Sequence, residues 1–355
     1  MIASAEPRRI LVAMSGGVDS SVAAALLHEQ GHEVLGVTMH LWDATGEHQV
    51  GRCCAPEDRD DARRTCEHLG IPHYVIDERE AFRAEVVEPF LAEYESGRTP
   101  IPCVQCNRTV KLHRLAVLAD RFNCSHIATG HYARIAMEAG EVQLLRGRDR
   151  AKDQTYFLFG VRKDVLARLI FPLGEMVKDE ARAEGRRLGV PNADKPDSQE
   201  LCFVPDGDIS GFVRRELGAT KPGRVVDESG AKLADHDGVS GFTVGQRKGL
   251  GLGGGPVRFV LKILDQGDVV VGGDDALYQQ ELLASGVQWL RRPTGPIDAS
   301  IRIRHRHGPE AARIEPTESG FRAVFTEPQR AITPGQAAVV YLGDEVLGGG
   351  FIDQL

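Results

Sequence analysis

The sequence predicts an α/β domain built on a parallel sheet, then a small β-rich central domain and a C-terminal β-barrel. Three observations support this order. Short β-type runs alternate with helix-type runs over 8–140, and mostly helical segments follow over 150–200. From about residue 205, Gly and Pro become frequent between short alternating runs. We therefore divide the chain into domains at 1–205, 206–275 and 276–355.

Each element of the first domain follows from a local pattern. The predicted strands are RRILVAM, HEVLGVTMHLW, IPHYVIDE and HIATGHYARI, and the predicted helices are SSVAAALLHEQ, PEDRDDARRTCEHLG, VKLHRLAVLADRF, DVLARLIFPLGEM and KDEARAEGRRLGV. Gly31 and Gly70 follow two of these helices, where glycine takes the left-handed conformation that ends a helix. Ligands of parallel sheets bind at the carboxyl ends of the strands, so we expect a site beside residues 15–21 and the TGHYAR segment.

The C-terminal half carries the pattern of short strands with turn signals. The β-type runs are GRVVDESG, GFTVGQRKGLG, RFVLKILDQGDVVVGG, ASIRIRHRH, ARIEPTESGFRAVFTEP and GQAAVVYLGDEVLGGGFI. In a strand, Arg302, Arg304 and Arg306 would point to one face, which is either a row that follows nucleic-acid phosphates or a solvated edge guarded by charge. Arg247 and Lys248 lie in a stretch that is either a flexible loop over the substrate or a hairpin.

Composition limits the class of protein. The chain has 355 residues, 42% of them hydrophobic and 26% charged, and no apolar run approaches the length of a membrane span. The first residues lack the pattern of a signal peptide, so the expected location is the cytoplasm. A net charge of −8 argues against a protein that binds nucleic acid over its whole surface, but it permits a local basic groove.

A glycine-rich loop, Ser15–Ser21, follows the first strand and precedes the first helix. Backbone N–H groups of such a loop and a helix N-terminus attract phosphate, and Gly16 and Gly17 permit close approach. The loop lacks the lysine with which the Walker loop grips the β- and γ-phosphates. It therefore suits chemistry at the α-phosphate, with an adenylate product, unless it is a plain strand-to-helix turn. Asp19 would hold a magnesium ion or orient the loop.

Two cysteine elements stand out among seven cysteines. Cys103 and Cys106 form a C-x-x-C pair, and Asn107 predicts a helix N-terminus that would favour the Cys106 thiolate. Cys202 lies on a predicted loop. A zinc site would need a second ligand pair, which is not evident. The remaining thiols fit helix or strand patterns and are expected to be buried and inert. They are Cys53, Cys54, Cys66 and Cys124. A functional role stays open for Cys53 and Cys54.

The loop sequence SGGVDS resembles the signature of the N-type ATP pyrophosphatases, which adenylate their substrates. Six motifs occur in order over nearly the whole chain: SGGVDSS, GRTPIPCVQCN, ATGHYAR, KDQTYFL, DSQELCF and GQRKGLG. Together they resemble the bacterial tRNA-specific 2-thiouridylases. The resemblance implies ATP with Mg²⁺, a tRNA substrate and a sulfur-carrier protein as donor, and we expect a monomer that does not associate with membranes.

The resemblance implies ATP-dependent 2-thiolation of the wobble uridine of tRNA. The C2 oxygen of that uridine would attack the α-phosphate of ATP, and sulfur from a persulfide on Cys202 would displace AMP. Cys106 would release the sulfur, leaving a Cys106–Cys202 disulfide as the spent state.

The family's site residues carry over by motif. Those implied to contact ATP are Ala13, Met14, Ser15, Gly16, Gly17, Val18, Asp19, Ser20, Met39 and Gly130. Those implied to meet the target base are Ile101, Pro102 and Cys103, and those implied to contact tRNA are His131, Lys152, Asp153, Gln154, Arg304, His305 and Gln336.

Two positions depart from the family pattern. Cys103 stands where an aspartate is frequent, and Ile101 stands where asparagine is common. An alternative therefore remains in which Cys103, Cys106 and Cys202 bind a [4Fe–4S] cluster with one open iron site.

Other interpretations of the glycine-rich loop also remain open. Another adenylating tRNA modifier would not need the paired thiols, and a glutamine-dependent synthetase would need an amidotransferase domain that is not evident. A non-catalytic nucleotide-sensing RNA-binding module would make the cysteines dispensable.

Overall fold

The computed structural model describes residues 6–43, 56–197, 201–204, 207–218 and 221–353. The strands are β1 Arg9–Ala13, β2 Glu33–His40, β3 His73–Asp77, β4 His126–Ala128, β5 Ala133–Glu138, β6 Glu141–Arg146, β7 Leu169–Ile170, β8 Gly223–Asp227, β9 Lys232–His236, β10 Phe259–Ile263, β11 Val269–Gly272, β12 Tyr278–Trp289, β13 Ile297–Arg302, β14 Glu310–Pro316, β15 Gly320–Arg330, β16 Ala337–Leu342 and β17 Glu345–Ile352.

The helices are α1 Val18–Glu29, α2 Pro56–Leu69, α3 Arg79–Phe82, α4 Glu88–Glu95, α5 Pro102–Gln105, α6 Leu112–Arg121, α7 Lys163–Leu166, α8 Lys178–Arg187 and α9 Ile209–Leu217. π-helical turns span Arg83–Val87 and Cys106–Lys111, and 3₁₀ turns span Thr155–Phe157, Val239–Gly241 and Asp274–Leu277. No helix among the described residues is both long and apolar enough to cross a membrane.

The predicted parallel sheet is confirmed, with strand order β3-β2-β1-β4-β7. β1 lies in its middle, where Ile10 pairs with Val34 on one side and His126 on the other. Ile10, Leu11 and Val12 are fully buried, as expected for a strand covered on both faces. The predicted helix ends are also confirmed, because Gly31 and Gly70 have φ of +82° and +66°.

Two predicted elements of this region were wrong. The DVLARLIFPLGEM segment does not form one helix: after the short α7, Leu169 and Ile170 form β7, the edge strand that pairs with β4. Packing beside a buried strand outweighs helix propensity there. The HIATGHYARI segment is two strands rather than one, because the chain turns after Ala128 and β5 then pairs antiparallel with β6.

The predicted β-rich segments are confirmed beyond residue 220. β10, β11, β8 and β9 form a four-stranded sheet in that order, over a core that includes Val225, Val260 and Val271. The GFTVGQRKGLG run carries no strand, since residues 242–258 form turns and irregular chain.

The predicted C-terminal barrel is also confirmed, and it is closed. Its strands follow the order β12-β15-β14-β13-β16-β17, and β17 pairs back onto β12. Its interior is filled by large apolar side chains, among them Ile301, Ile314, Phe321 and Phe325.

The chain divides by compactness into two units. One comprises residues 1–85, 103–207 and 344–346, and the other comprises 86–102, 208–343 and 347–355. The stretch 86–102, which precedes the cysteine pair, therefore belongs to the unit that holds the β-rich half. The boundaries at 1–205, 206–275 and 276–355 stay predictions.

Candidate functional site

The glycine-rich loop lies where the sequence predicts it, between Ala13 at the end of β1 and Val18 at the start of α1. Its own hydroxyl groups hold its shape. The Ser20 hydroxyl donates to the Gly17 carbonyl at 3.0 Å and accepts from the Ser15 amide at 3.1 Å. The loop is thus an ordered turn at the N-terminus of a 12-residue helix.

Gly16 has a backbone conformation that other residues rarely adopt, with φ of +74°. A Cβ atom there would also overlap the main-chain carbonyl of Asp58 in α2. We expect Gly16→Ala to displace the loop and to raise the KM for ATP by at least about tenfold, since a small misplacement of binding groups costs one to two orders of magnitude. Initial rates against ATP concentration measure this. A KM within twofold of wild type would contradict it.

The other residues implied to contact ATP surround this loop. Met14 is buried, and its carbonyl accepts a hydrogen bond from the Thr38 hydroxyl at 2.8 Å. Met39 follows Thr38 near the carboxyl end of β2, the strand that pairs with β1. Gly130 packs against the Asp19–Ser20 main chain. The structure therefore gathers these residues at one edge of the sheet.

A lysine from elsewhere in the chain lies beside the loop. Lys178, the first residue of α8, places its Nζ 2.7 and 2.9 Å from the two carboxylate oxygens of Asp19. The Tyr132 hydroxyl donates to the same carboxylate at 3.0 Å. Helix α8 packs against α1 through Ala181 and Val22, which brings the lysine to the loop.

A second lysine lies beside the loop. Lys195 Nζ is 3.2 Å from the Gly16 carbonyl and 2.5 Å from a carboxylate oxygen of both Asp58 and Asp61. The buried Asn192 amide donates to the same Gly16 carbonyl at 2.9 Å. Neither lysine could be assigned to the loop from the sequence, because both stand more than 150 residues after it.

Asp197 connects Lys178 to a predicted tRNA-binding turn. It lies 2.8 Å from Lys178 Nζ, 2.8 Å from Lys152 Nζ and 3.0 Å from an Arg182 guanidinium nitrogen. Burial alone would raise the pKa of the Asp197 carboxyl, but hydrogen bonds from Lys152 and Lys178 outweigh it and lower the pKa to about 2. Asp197 is therefore ionised at neutral pH and offsets part of the lysine charge.

The predicted tRNA-binding turn is held by its own side chains. The buried Asp153 carboxylate accepts from the Thr155 hydroxyl at 2.9 Å and from the Gly147 amide at 3.2 Å. Gln154 accepts from the Tyr132 amide at 2.9 Å. Asp153 is buried, whereas Lys152 and Gln154 are each partly exposed. In this conformation Asp153 and Gln154 shape the turn.

His131 is uncharged at neutral pH. Burial and the nearby Lys111 ammonium lower the pKa of His131 to about 3. Its ring packs edge-to-face against Phe171, and its Nδ1 is 2.8 Å from the Thr129 hydroxyl. A contact of His131 with tRNA would thus be a hydrogen bond rather than a charge pair.

Cys106 does not stand at the helix N-terminus that Asn107 predicted. The helix begins at Pro102, so Cys106 lies one turn further in and starts the π-helical turn Cys106–Lys111. Proline suits the first helical position, where its missing N–H is not needed. The Asn107 side chain instead donates to the Phe157 carbonyl at 3.3 Å. π-helical turns are frequent at functional sites.

The segments that carry Cys106 and Cys202 lie against the same short helix. The Cys106–Lys111 turn contacts α3. Phe203, next to Cys202, packs its ring 5.8 Å from that of Phe82 in α3 and 6.2 Å from that of Trp42. Cys106 is buried, and Cys202 and Cys103 are half-buried.

The proposed cluster ligands do not form a metal site in this conformation. Within the described ranges, which include Cys103, Cys106 and Cys202, no three His, Cys, Asp or Glu side chains are arranged to hold a metal ion. Mg²⁺ binds through one or two carboxylates plus substrate phosphates, and Asp19 is the carboxylate of the glycine-rich loop. In this structure both of its oxygens contact Lys178, so Asp19 would hold Mg²⁺ only if one oxygen left that contact.

Two other cysteines are buried, as the sequence predicts. Cys66 and Cys124 are buried, and Cys53 and Cys54 lie outside the described residues. Burial raises the pKa of the Cys66 thiol to about 12 and also raises the pKa of the Cys124 thiol.

Cys66 should therefore resist alkylation. Its raised pKa leaves the thiol un-ionised at pH 8, and the thiolate is the nucleophile. We expect iodoacetamide to modify Cys66 only after denaturation, as measured by peptide mass spectrometry. Modification of the native protein at the rate of an exposed thiol would contradict this.

The predicted row of arginines is wrong. β13 ends at Arg302, and residues 304–307 form a turn, so the arginines do not alternate along one strand. Arg302 is buried and donates to the carbonyls of Arg304 and His305, while Arg304 donates to the Arg330 and Ala331 carbonyls. Residues 304–307 are four consecutive basic residues. A turn exposes their side chains better than a strand would, because a strand on the barrel buries every second side chain.

Gln336 lies near the segment implied to meet the target base. Its side-chain Nε2 donates to the Thr99 carbonyl at 2.8 Å and to the Pro100 carbonyl at 3.4 Å. Both carbonyls directly precede Ile101.

Comparison with known proteins agrees with the three-part fold. Residues 8–206 match the family model described as tRNA methyl transferase HUP domain. Residues 210–273 match a tRNA methyl transferase PRC-barrel domain, and residues 279–352 match an aminomethyltransferase beta-barrel domain.

Full-length relatives share this arrangement. The tRNA-specific 2-thiouridylase MnmA of Sorangium cellulosum is 50% identical over 97% of this chain and 92% of its own length. The proteins of the same name from Acidithiobacillus ferrooxidans and Solibacter usitatus are 46% and 47% identical, again over 97% of this chain and over 98% and 99% of their own lengths. With matches of this identity along nearly its whole length, the chain belongs to the family of tRNA-specific 2-thiouridylases.

Proposed function

We propose that this protein replaces the C2 oxygen of the wobble uridine of tRNA with sulfur, at the expense of ATP. The proposal is supported by the glycine-rich loop with Lys178 beside it, and by the segments of Cys106 and Cys202, which both lie against α3. Membership of the family supports the same reaction.

The first step activates the base. The uridine C2 oxygen attacks the α-phosphate of ATP, pyrophosphate leaves, and the oxygen becomes part of an AMP leaving group. The loop amides and the Lys178 ammonium would stabilise the charge that develops on the leaving pyrophosphate. Mg²⁺, held by Asp19 and the phosphates, would share that charge.

The second step delivers sulfur. A sulfur-carrier protein leaves a persulfide on Cys202. The Cys106 thiolate attacks the inner sulfur, and the terminal sulfur leaves with the bonding electron pair and adds to C2 of the base. AMP departs with the former C2 oxygen. Cys106 and Cys202 end as a disulfide, and a dithiol reductant restores both thiols. The protein needs one copy of each thiol for this cycle, so we propose that it acts as a monomer.

The proposal is tested by nucleoside mass spectrometry. Unmodified tRNA is incubated with the purified protein, ATP, Mg²⁺ and a persulfide source, with and without air and with and without reconstituted iron. We expect 2-thiouridine in every arm that contains ATP, with no dependence on iron. Thiolation only in the anaerobic, iron-loaded arm would replace the persulfide route with the cluster route. No 2-thiouridine in any arm would contradict the function.

A further inference from the structure

The segment Arg98–Pro102 lies directly before Cys103 and forms part of the second compact unit. Two prolines, Pro100 and Pro102, remove main-chain donors from it. Such a segment cannot satisfy its own carbonyl groups through regular structure, so their partners must come from elsewhere.

The partners come from the turn between β15 and β16. Gln336 donates to the Thr99 and Pro100 carbonyls, and the Thr99 amide donates to the Pro334 carbonyl at 2.9 Å. A primary amide nitrogen has two hydrogens. The side-chain amide nitrogen of Gln336 is therefore directed at the protein main chain.

Gly335 permits this contact. Its φ is +89°, and a Cβ atom at this position would lie 3.0 Å from the Thr99 main chain. The turn itself is fixed, because the Gly335 amide donates to the Ile352 carbonyl at 2.9 Å and the Ile352 amide donates to the Gln336 carbonyl at 2.8 Å. The barrel wall thus provides a firm support.

We propose that Gln336 is a positioning residue, which holds the Thr99–Pro100 main chain and thereby sets the Ile101–Cys103 segment on the target base. This inference rests on the proposed function. The segment ends at Pro102, the first residue of α5.

The first test is made without tRNA. In the folded chain, Arg98 is held by Glu93 at 2.7 Å and by the Ile352 carbonyl at 3.2 Å, so trypsin reaches the Arg98–Thr99 bond only after the segment detaches. We expect Gln336→Leu to speed this cleavage roughly fivefold, the shift that corresponds to losing one hydrogen bond. Gln336→Glu, which places an acceptor against two carbonyls, should speed it further. Peptide mass spectrometry identifies the cut.

Gln329→Leu is the matched control. Gln329 lies in the same barrel, and its amide donates to the Glu327 carbonyl at 2.9 Å, away from the segment. Its cleavage rate should equal that of wild type. An unchanged cleavage rate in both Gln336 variants overturns the proposal, whatever the outcome of the activity assay, so this test does not depend on the proposed function.

The second test separates positioning from tRNA binding. We expect Gln336→Leu to lower kcat for thiolation about tenfold while the KM for tRNA stays within twofold, because the base segment is misplaced although the RNA still binds. Gln336→Lys retains a donor and should recover part of kcat. A raised KM with unchanged kcat overturns the proposal in favour of a direct tRNA contact. Absence of thiolation by the wild-type protein would instead count against the proposed function.

Discussion

Serine in place of Cys106 or Cys202 is expected to abolish the formation of 2-thiouridine. A hydroxyl group cannot carry a persulfide, and it cannot attack a sulfur–sulfur bond at neutral pH. Loss of a group that forms a covalent bond in the reaction lowers turnover by several orders of magnitude, so we expect a drop of at least about 10³-fold for each variant. Nucleoside mass spectrometry of the reacted tRNA measures it.

The two variants should differ in which intermediate they retain. With Cys106→Ser, Cys202 can still accept sulfur, so a persulfide should accumulate and add the mass of one sulfur atom to its peptide. With Cys202→Ser, that mass should be absent. Cys124→Ser is the control, because Cys124 is buried, its thiol lies 3.8 Å from the Phe122 carbonyl, and serine can donate there too. Thiolation that survives either Cys106→Ser or Cys202→Ser would contradict the account.

Lys178→Met is expected to stop the activation step. The ammonium bridges Asp19 and Asp197, and its side chain is 11% exposed. Its loss removes a positive charge from the phosphate site and leaves two carboxylates that repel the phosphates of ATP. Removing one such group costs on the order of 10²–10³-fold in rate. Release of pyrophosphate in the presence of tRNA measures the step.

The exposed ion pair between Lys163 and Glu141, at 2.7 Å, provides the control for Lys178. Lys163→Met should leave the rate within twofold of wild type, since exposed pairs contribute little. Lys178→Arg keeps the charge and should retain more activity than Lys178→Met. If Lys178→Met releases pyrophosphate at the wild-type rate, the ammonium has no part in the reaction.

The parallel sheet could be predicted because its strands are short apolar runs between helix patterns, and this signal is local. β7 could not, since a two-residue strand exists only through its pairing with β4. The closure of the barrel by β12 and β17 likewise depends on contacts between distant segments. The alternating arginines were mistaken for a strand because a period of two does not show where a strand ends.

The position of the glycine-rich loop between β1 and α1 could be predicted from its motif, but the lysines beside it could not. Lys178 reaches Asp19 only after α8 packs on α1. One signal was present: a lysine at the start of a helix opposes the helix dipole, so its position required another stabilising partner. Pro102 also indicated where the helix before Cys106 begins, because proline is favoured at the first helical position. Asn107 indicated a later start.

The central claim is that the uridine C2 oxygen attacks the α-phosphate of ATP. The fate of that oxygen tests the claim most directly. tRNA carrying ¹⁸O at the target uridine C2 is incubated with ATP and a persulfide source, and the nucleotide products are analysed by mass spectrometry. Attack on the α-phosphate predicts one ¹⁸O atom in AMP for each 2-thiouridine formed, with none in pyrophosphate. Label in inorganic phosphate or in water, with unlabelled AMP, would contradict it.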